Sequence, residues 1–218
     1  MSAREHILAA IRASGSSVTP APLRRYQHED ILAPAEVQAR FTARVTDYGV
    51  VVTPVADEGT IAGAVAAICA VRAITSLVVS PDCPLSWRPD GVTVTEDHAL
   101  PIEQLGAIPA ALTAAAVAIA ETGTVVLDGG PAQGRRAISL LPDFHICVVF
   151  TDQIVECVPS AMRRLAPAAR RGRPFTFISG PSATADIEFD RVQGVHGPRQ
   201  LDLILVRGGQ PHAETRAR

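Results

Sequence analysis

The chain has 218 residues, 47% of them apolar and 19% charged, enough for one substantial core and far from the composition of a disordered segment. All 20 basic residues are arginine, so Schiff-base, general-base and Walker lysines are excluded. A formal net charge of −2 argues against a protein that coats a polyanion, and no nucleic-acid partner is expected.

Residues 2–13 read as a short amphipathic helix, with Ser2 as N-cap, Glu5 at the capping-box spacing and Ile7, Leu8 and Ile11 as its apolar set. Gly15, Pro20 and Pro22 then break the pattern, and 14–32 reads as an extended arm. Helical spacing returns at Val37, Phe41 and Val45 and stops at Gly49. The β-branched run 50–55, the helical spacing of Ile61, Val65 and Ile68, and the apolar run 76–80 form a strand–helix–strand crossover. Such a unit implies a parallel sheet covered on both faces.

Two apolar runs, 115–120 and 124–128, flank Glu121-Thr122-Gly123, and 144–150 and 154–158 flank Thr151-Asp152-Gln153 in the same manner. A helix over 160–171, a strand over 175–178 and a last strand over 201–206 complete the pattern. The division expected is an N-terminal helix and extended arm over 1–34, one α/β domain over 35–207 and a flexible tail over 208–218.

Cys69, Cys83, Cys147 and Cys157 show no C-x-x-C spacing, so no metal site and no iron–sulfur cluster is expected in this chain, and reduced thiols fit a cytoplasmic location. The start of the chain lacks the apolar stretch of a signal peptide, and no window is long and apolar enough for a membrane span.

Two segments place glycine and hydroxyl residues directly after apolar strands. In Glu121-Thr122-Gly123-Thr124, the amides around Gly123 and the two threonine hydroxyls suit a carboxylate or phosphate, and Glu121 suits a base at a strand end; a plain hairpin turn is the alternative. In the segment 179–188, Gly180, Pro181, Ser182 and Thr184 read as an anion cradle, with Ser182 or Thr184 capping a short helix. Asp186 and Glu188 follow as two acids that would share a face, as a carboxylate pair needs, only in an extended chain; their alternative role is electrostatic support of that helix start.

His196 lies in a loop before Gly197 and Pro198, where it suits proton transfer or a hydrogen bond to substrate, or simply fixes the loop. Arg135 and Arg136 follow a glycine-rich stretch and suit bidentate binding of a ligand carboxylate, or stand as solvated charges. His145, alone in an apolar strand, reads as structural. The arginines 163, 164, 170, 171 and 173 lack interleaved aromatics and read as a solvated or partner-facing helix.

Taken in order, Ala120-Glu121-Thr122-Gly123-Thr124, Leu141-Pro142, the run 178–188 and Gly194-Val195-His196-Gly197-Pro198 resemble the signature blocks of the LUD-domain family, most closely its short stand-alone members, over about 41–206. The resemblance implies an α/β fold with an open Rossmann-like sheet, similar to the NagB/RpiA/CoA-transferase-like fold, preceded by an N-terminal helical arm. It also implies a role in oxidising L-lactate to pyruvate. Longer family members carry iron–sulfur motifs that this chain lacks, so the expected role is an accessory or substrate-handling subunit. Iron–sulfur clusters are then expected in partner subunits, and none in this chain.

The site residues expected are Glu121 and His196 for catalysis, and Thr122, Gly123, Thr124, Gly180, Pro181, Ser182, Thr184, Asp186 and Arg136 for a small anionic substrate. Whether the chain is itself an enzyme stays open. A stand-alone enzyme on a phosphorylated or CoA-linked substrate and a non-enzymatic regulatory binding module are the competing readings, and self-association into a homodimer is a further open association.

Overall fold

The structure, a computed structural model, describes residues 3–14, 30–185, 191–193 and 197–209. The helices are α1 (Ala3–Ala13), α2 (Pro34–Asp47), α3 (Ile61–Val71), α4 (Ile102–Ala107) and α5 (Val158–Arg170). The strands are β1 (Val51–Val55), β2 (Ser76–Val79), β3 (Thr93–Glu96), β4 (Ala110–Ala114), β5 (Val117–Ile119), β6 (Thr124–Leu127), β7 (Phe144–Phe150), β8 (Ile154–Val155), β9 (Thr176–Ile178), β10 (Ala183–Ala185), β11 (Arg191–Gln193) and β12 (Gln200–Val206).

The expected crossover is present: β1, α3 and β2 belong to a six-stranded sheet in the order β1-β12-β7-β4-β2-β3, and every pairing in it is parallel. Both faces are covered, which is why β4 and β7 are buried at every position. Ile146, Val148 and Phe150 of β7 pack with Ile61, Val65 and Trp87 on the α3 side. Cys147 and Val149, on the alternate face, pack with Phe41 and Val45 of α2 and with Ala118 and Val125 of a second sheet.

That second sheet, β8-β5-β6-β9, is a feature the sequence reading did not contain. Strands β5 and β6 form an antiparallel hairpin around Glu121-Thr122-Gly123, so the turn reading of that segment holds for the backbone. The similar pattern at 144–158 resolves otherwise. Strand β7 pairs with β4 and β12 in the large sheet, whereas β8 pairs with β5 in the small one, so Thr151–Gln153 carries the chain between sheets instead of closing a hairpin. Gln153 stabilises the crossing: its Oε1 accepts from Phe150 N at 2.8 Å and its Nε2 donates to Ala115 O at 2.7 Å, both buried. Helix α5 covers the outer face of the small sheet through Ala161 and Leu165.

Two further expectations are corrected or delimited. Residues 183–185 are a strand paired antiparallel with 191–193, so the short helix expected to start at Ser182 or Thr184 does not form. Its amide cradle goes with it, because a ladder consumes the backbone groups that a helix start leaves free. Of the expected arm, only the end is described: Glu156, at the end of β8, accepts from the amides of Ile31 and Leu32, and Glu156 N donates to Asp30 Oδ1 at 3.1 Å. Helix α1 buries none of its residues. No helix of the described residues is long and apolar enough to cross a membrane.

Candidate functional site

The loop and strand ends of the two sheets enclose a cleft of about 260 Å³. It lies at the amino-terminal ends of β7 and β12, where His145 and Leu201 form its inner wall, and β9 with the segment Ser179–Ser182 forms the other side. Ser139 and Leu140 close one end, and Gly197 and Pro198 the other. The last two are tied across the rim by Ser182 N, which donates to Pro198 O at 2.8 Å.

Gly180 explains how the chain reaches this position. It turns off β9 at φ +88°, a conformation that L side chains rarely adopt, and a Cβ there would lie 2.7 Å from Tyr48 Cβ. Gly123 is held in the same way from the other hairpin, at φ +61° with α2 so close that a Cβ would meet Arg44 Cβ at 2.8 Å. Tyr48 links the two segments, since its hydroxyl donates to Thr122 O at 3.3 Å.

A chain of hydroxyls joins them further: Thr122 Oγ1 lies 2.7 Å from Thr124 Oγ1, which lies 2.8 Å from Ser179 Oγ. The structure therefore brings the two glycine segments together, but with different outcomes. Gly180, Pro181 and Ser182 line the cleft, whereas Thr122, Gly123 and Thr124 support it from behind through Ser179. Glu121 is exposed at the hairpin turn, with its amide donating to Glu156 O at 2.9 Å, and is not among the residues lining the cleft.

Arg136 is exposed in a short 3-10 turn, Arg136–Ser139, and reaches the cleft only through Ser139 at the turn's end. Arg135 has a different employment from the ligand contact expected. Its Nε and Nη2 grip Asp97 at 2.6 and 2.9 Å, so the bidentate fork is already filled by an internal carboxylate. Burial pushes Asp97 up, but the Arg135 hydrogen bonds, the Leu100 amide and the Arg135 charge together bring it below its ordinary value. Asp186 and His196 lie outside the described residues, as does the side chain of Thr184, whose backbone belongs to β10. His196 immediately precedes the lining residue Gly197 in the sequence.

The residue that sequence reasoning set aside is His145. It is 1% exposed and lines the cleft, Nε2 lies 2.8 Å from Thr113 Oγ1 of β4, and Nδ1 has no partner among the described residues. Burial lowers its pKa to about 4, so the ring is neutral at physiological pH. Among the described lining residues there is neither a carboxylate nor a guanidinium; the polar groups are serine and threonine hydroxyls, backbone and this imidazole. Such a surface suits a small polar molecule held by hydrogen bonds.

A second cleft, of about 220 Å³, lies at the carboxyl-terminal ends of β1 and β12 between Gln38, Val55, Thr151 and Arg207. Among the described residues, no group of three or more His, Cys, Asp or Glu side chains is placed to hold a metal ion. Burial pushes the Cys147 thiol up to about 12 and the Cys83 thiol likewise, so both are protonated packing groups.

Comparison with known proteins agrees with this architecture. The family model described as the LUD domain matches residues 88–206. A curated relative from Deinococcus radiodurans, "Lactate utilization protein C", is 42% identical over 205 residues, covering 94% of this chain and 95% of its own. A protein of the same name from Bacillus subtilis is 38% identical over 99 residues, 44% of this chain and 41% of its own. The crystal structure of a DUF162 family protein from Deinococcus radiodurans superposes with a TM-score of 0.71 at 39% identity, over 81% of this chain and 99% of that one. With its mixed α/β architecture built on a parallel, Rossmann-like sheet, the chain belongs to the LUD-domain family.

Proposed function

We propose that this chain serves the oxidation of L-lactate to pyruvate as a ligand-handling accessory subunit, with electron transfer carried by iron–sulfur partner subunits. The observation that carries the reading is the 42% identity, sustained over 94% of the chain, to a protein named for lactate utilization. The cleft supports it in scale and chemistry. At about 260 Å³ it is slightly smaller than the roughly 300–1,000 Å³ of sites for drug-sized ligands, and its hydroxyls suit a small hydroxy acid.

Conversion of the lactate hydroxyl carbon to a ketone releases two electrons and two protons, which an acceptor must take. The four cysteines of this chain are buried and scattered over α3, the turn after β2, β7 and the residue before α5. The reading therefore assigns the acceptor clusters to partners, and to this chain the binding and orientation of substrate or product.

The test is purification of the tagged full chain from lactate-grown cells, followed by a lactate-to-acceptor assay on the isolated chain and on whatever accompanies it. Recovery of iron–sulfur proteins with lactate-dependent activity confined to the complex is the expected result. A chain that emerges alone, and whose deletion leaves growth on lactate intact, overturns the reading. Turnover of a phosphorylated or CoA-linked compound by the isolated chain would replace it with a stand-alone enzyme.

A further inference from the structure

We propose that Nδ1 of His145 is the hydrogen-bond acceptor for the hydroxyl of a small molecule seated in the cleft between β9 and the amino-terminal ends of β7 and β12. Three observations lead there. The ring lines the cleft, it is 1% exposed, and Nδ1 is a buried polar atom without a partner among the described residues. Buried polar atoms are normally satisfied, so one that faces no protein donor beside a cleft marks the place of an absent one.

The neighbours fix what that group must be. Thr113 Oγ1 lies 2.8 Å from His145 Nε2 and 3.8 Å from Cys147 Sγ, and under this proposal its hydrogen is placed toward the sulfur and its lone pairs toward the imidazole. Nε2 then carries the ring proton and donates to Thr113, and Nδ1 presents a bare lone pair. The reverse tautomer would bury an unpaired N–H, which proteins tolerate less readily than an under-used acceptor. A carboxylate or a ketone brings only lone pairs to this atom and is disfavoured beside it, whereas a hydroxyl brings the hydrogen it lacks.

The neutral ring also sets the role. With its pKa lowered to about 4 by burial, His145 holds a ligand hydroxyl in place at neutral pH without taking its proton, which makes it a binding residue and leaves the proton on the ligand. The cleft hydroxyls of Ser139 and Ser179 are within the same lining and suit the remaining polar atoms of the ligand. The inference rests on the lactate reading only where the hydroxyl is that of L-lactate; the site itself requires only a small alcohol or hydroxy acid.

The experiment is ring-nitrogen NMR on the ¹⁵N-labelled full chain, titrated separately with L-lactate, glycolate, glycerol and pyruvate, with calorimetry on His145→Phe and Thr113→Val alongside. The expected result is an unprotonated Nδ1 in the free protein whose resonance moves on addition of L-lactate and not of pyruvate. His145→Phe weakens L-lactate binding by about tenfold or more, and Thr113→Val, which frees the tautomer, weakens it severalfold with the cleft otherwise intact. Movement with glycolate or glycerol but not with L-lactate upholds the site and sinks the lactate reading. L-lactate binding that leaves Nδ1 unmoved and survives in His145→Phe overturns the site and leaves the lactate reading standing. A protonated Nδ1 in the free protein, or no response to any of the three hydroxyl compounds, also overturns the proposal, and this readout needs no variant to fold.

Discussion

The two edges of the parallel sheet are built differently. At the carboxyl-terminal edge, where ligands of open α/β sheets usually gather, the central strands β4 and β7 are closed off by the protein itself. Gln153 bonds to Phe150 N and Ala115 O there, and Asp82 accepts from Ala132 N in the glycine-rich loop that crosses the neighbouring strand ends. A cleft of about 220 Å³ is left at the margin, beyond β1 and β12. At the amino-terminal edge, the second sheet diverges from β7 and β12 and leaves a cleft lined by loops, an imidazole and hydroxyls. The position of the candidate cleft thus follows where added elements leave room and differs from the one that the topological rule about strand ends suggests.

Breaking the closed edge should cost most. Gln153→Leu keeps the side-chain bulk but strands a buried amide and a buried carbonyl at about 1–3 kcal/mol each, so a loss of about 4 kcal/mol in urea unfolding is expected, with ligand binding at the opposite edge retained in the folded fraction.

The next effect sharpens the open edge and depends on pH. Because burial lowers the His145 pKa to about 4 in the folded chain, against the ordinary 6.5 of an exposed imidazole, the unfolded state binds the extra proton between those values. Its contribution is complete above about pH 6.5 and is lost as pH falls toward 4, a difference of about 3 kcal/mol over the window. His145→Phe should flatten that part of the stability profile, and an unchanged profile would contradict a neutral buried imidazole.

Gly180→Ala, which forces a Cβ against Tyr48 at a positive φ, is expected to lower stability by about 2 kcal/mol and to weaken ligand binding by moving the Pro181–Ser182 rim. Equal loss of stability with unaltered binding would detach the rim from the site. Smallest is Arg135→Gln at the closed edge. The guanidinium is partly exposed, so about 1 kcal/mol is expected, and the acid-side loss that Asp97 contributes as pH falls below its ordinary range should shrink with it.

Much of the fold was legible because it is local. The spacing of Val37, Phe41 and Val45 gave α2 with those three residues buried, and the β1–α3–β2 run implied a parallel sheet. The second sheet was not legible, because its strands are two to four residues long and the pairings that join the β5–β6 hairpin to β8 and β9 are long-range. The helix expected at Ser182 failed for a related reason: hydroxyl residues after a glycine turn fit a hairpin as well as a helix start.

The sequence put both glycine segments in one site; in the structure hydroxyls join them, with Gly180, Pro181 and Ser182 lining the cleft and Glu121 outside it. His145 was passed over since nothing in its own strand distinguishes a ligand-facing histidine from a packed one. Only the pairing of β7 with β4 sets Thr113 beside Nε2, and only the folded chain shows Nδ1 without a partner among the described residues.

The most direct measurement is hydrogen–deuterium exchange of the full chain with and without saturating L-lactate. Slowed exchange confined to 139–145, 176–182 and 197–201 is the predicted result, since those segments form the open-edge cleft. Slowed exchange at 54–56 and 205–209 instead, or no change anywhere, would contradict the account by moving the ligand to the carboxyl-terminal edge or removing it from this chain.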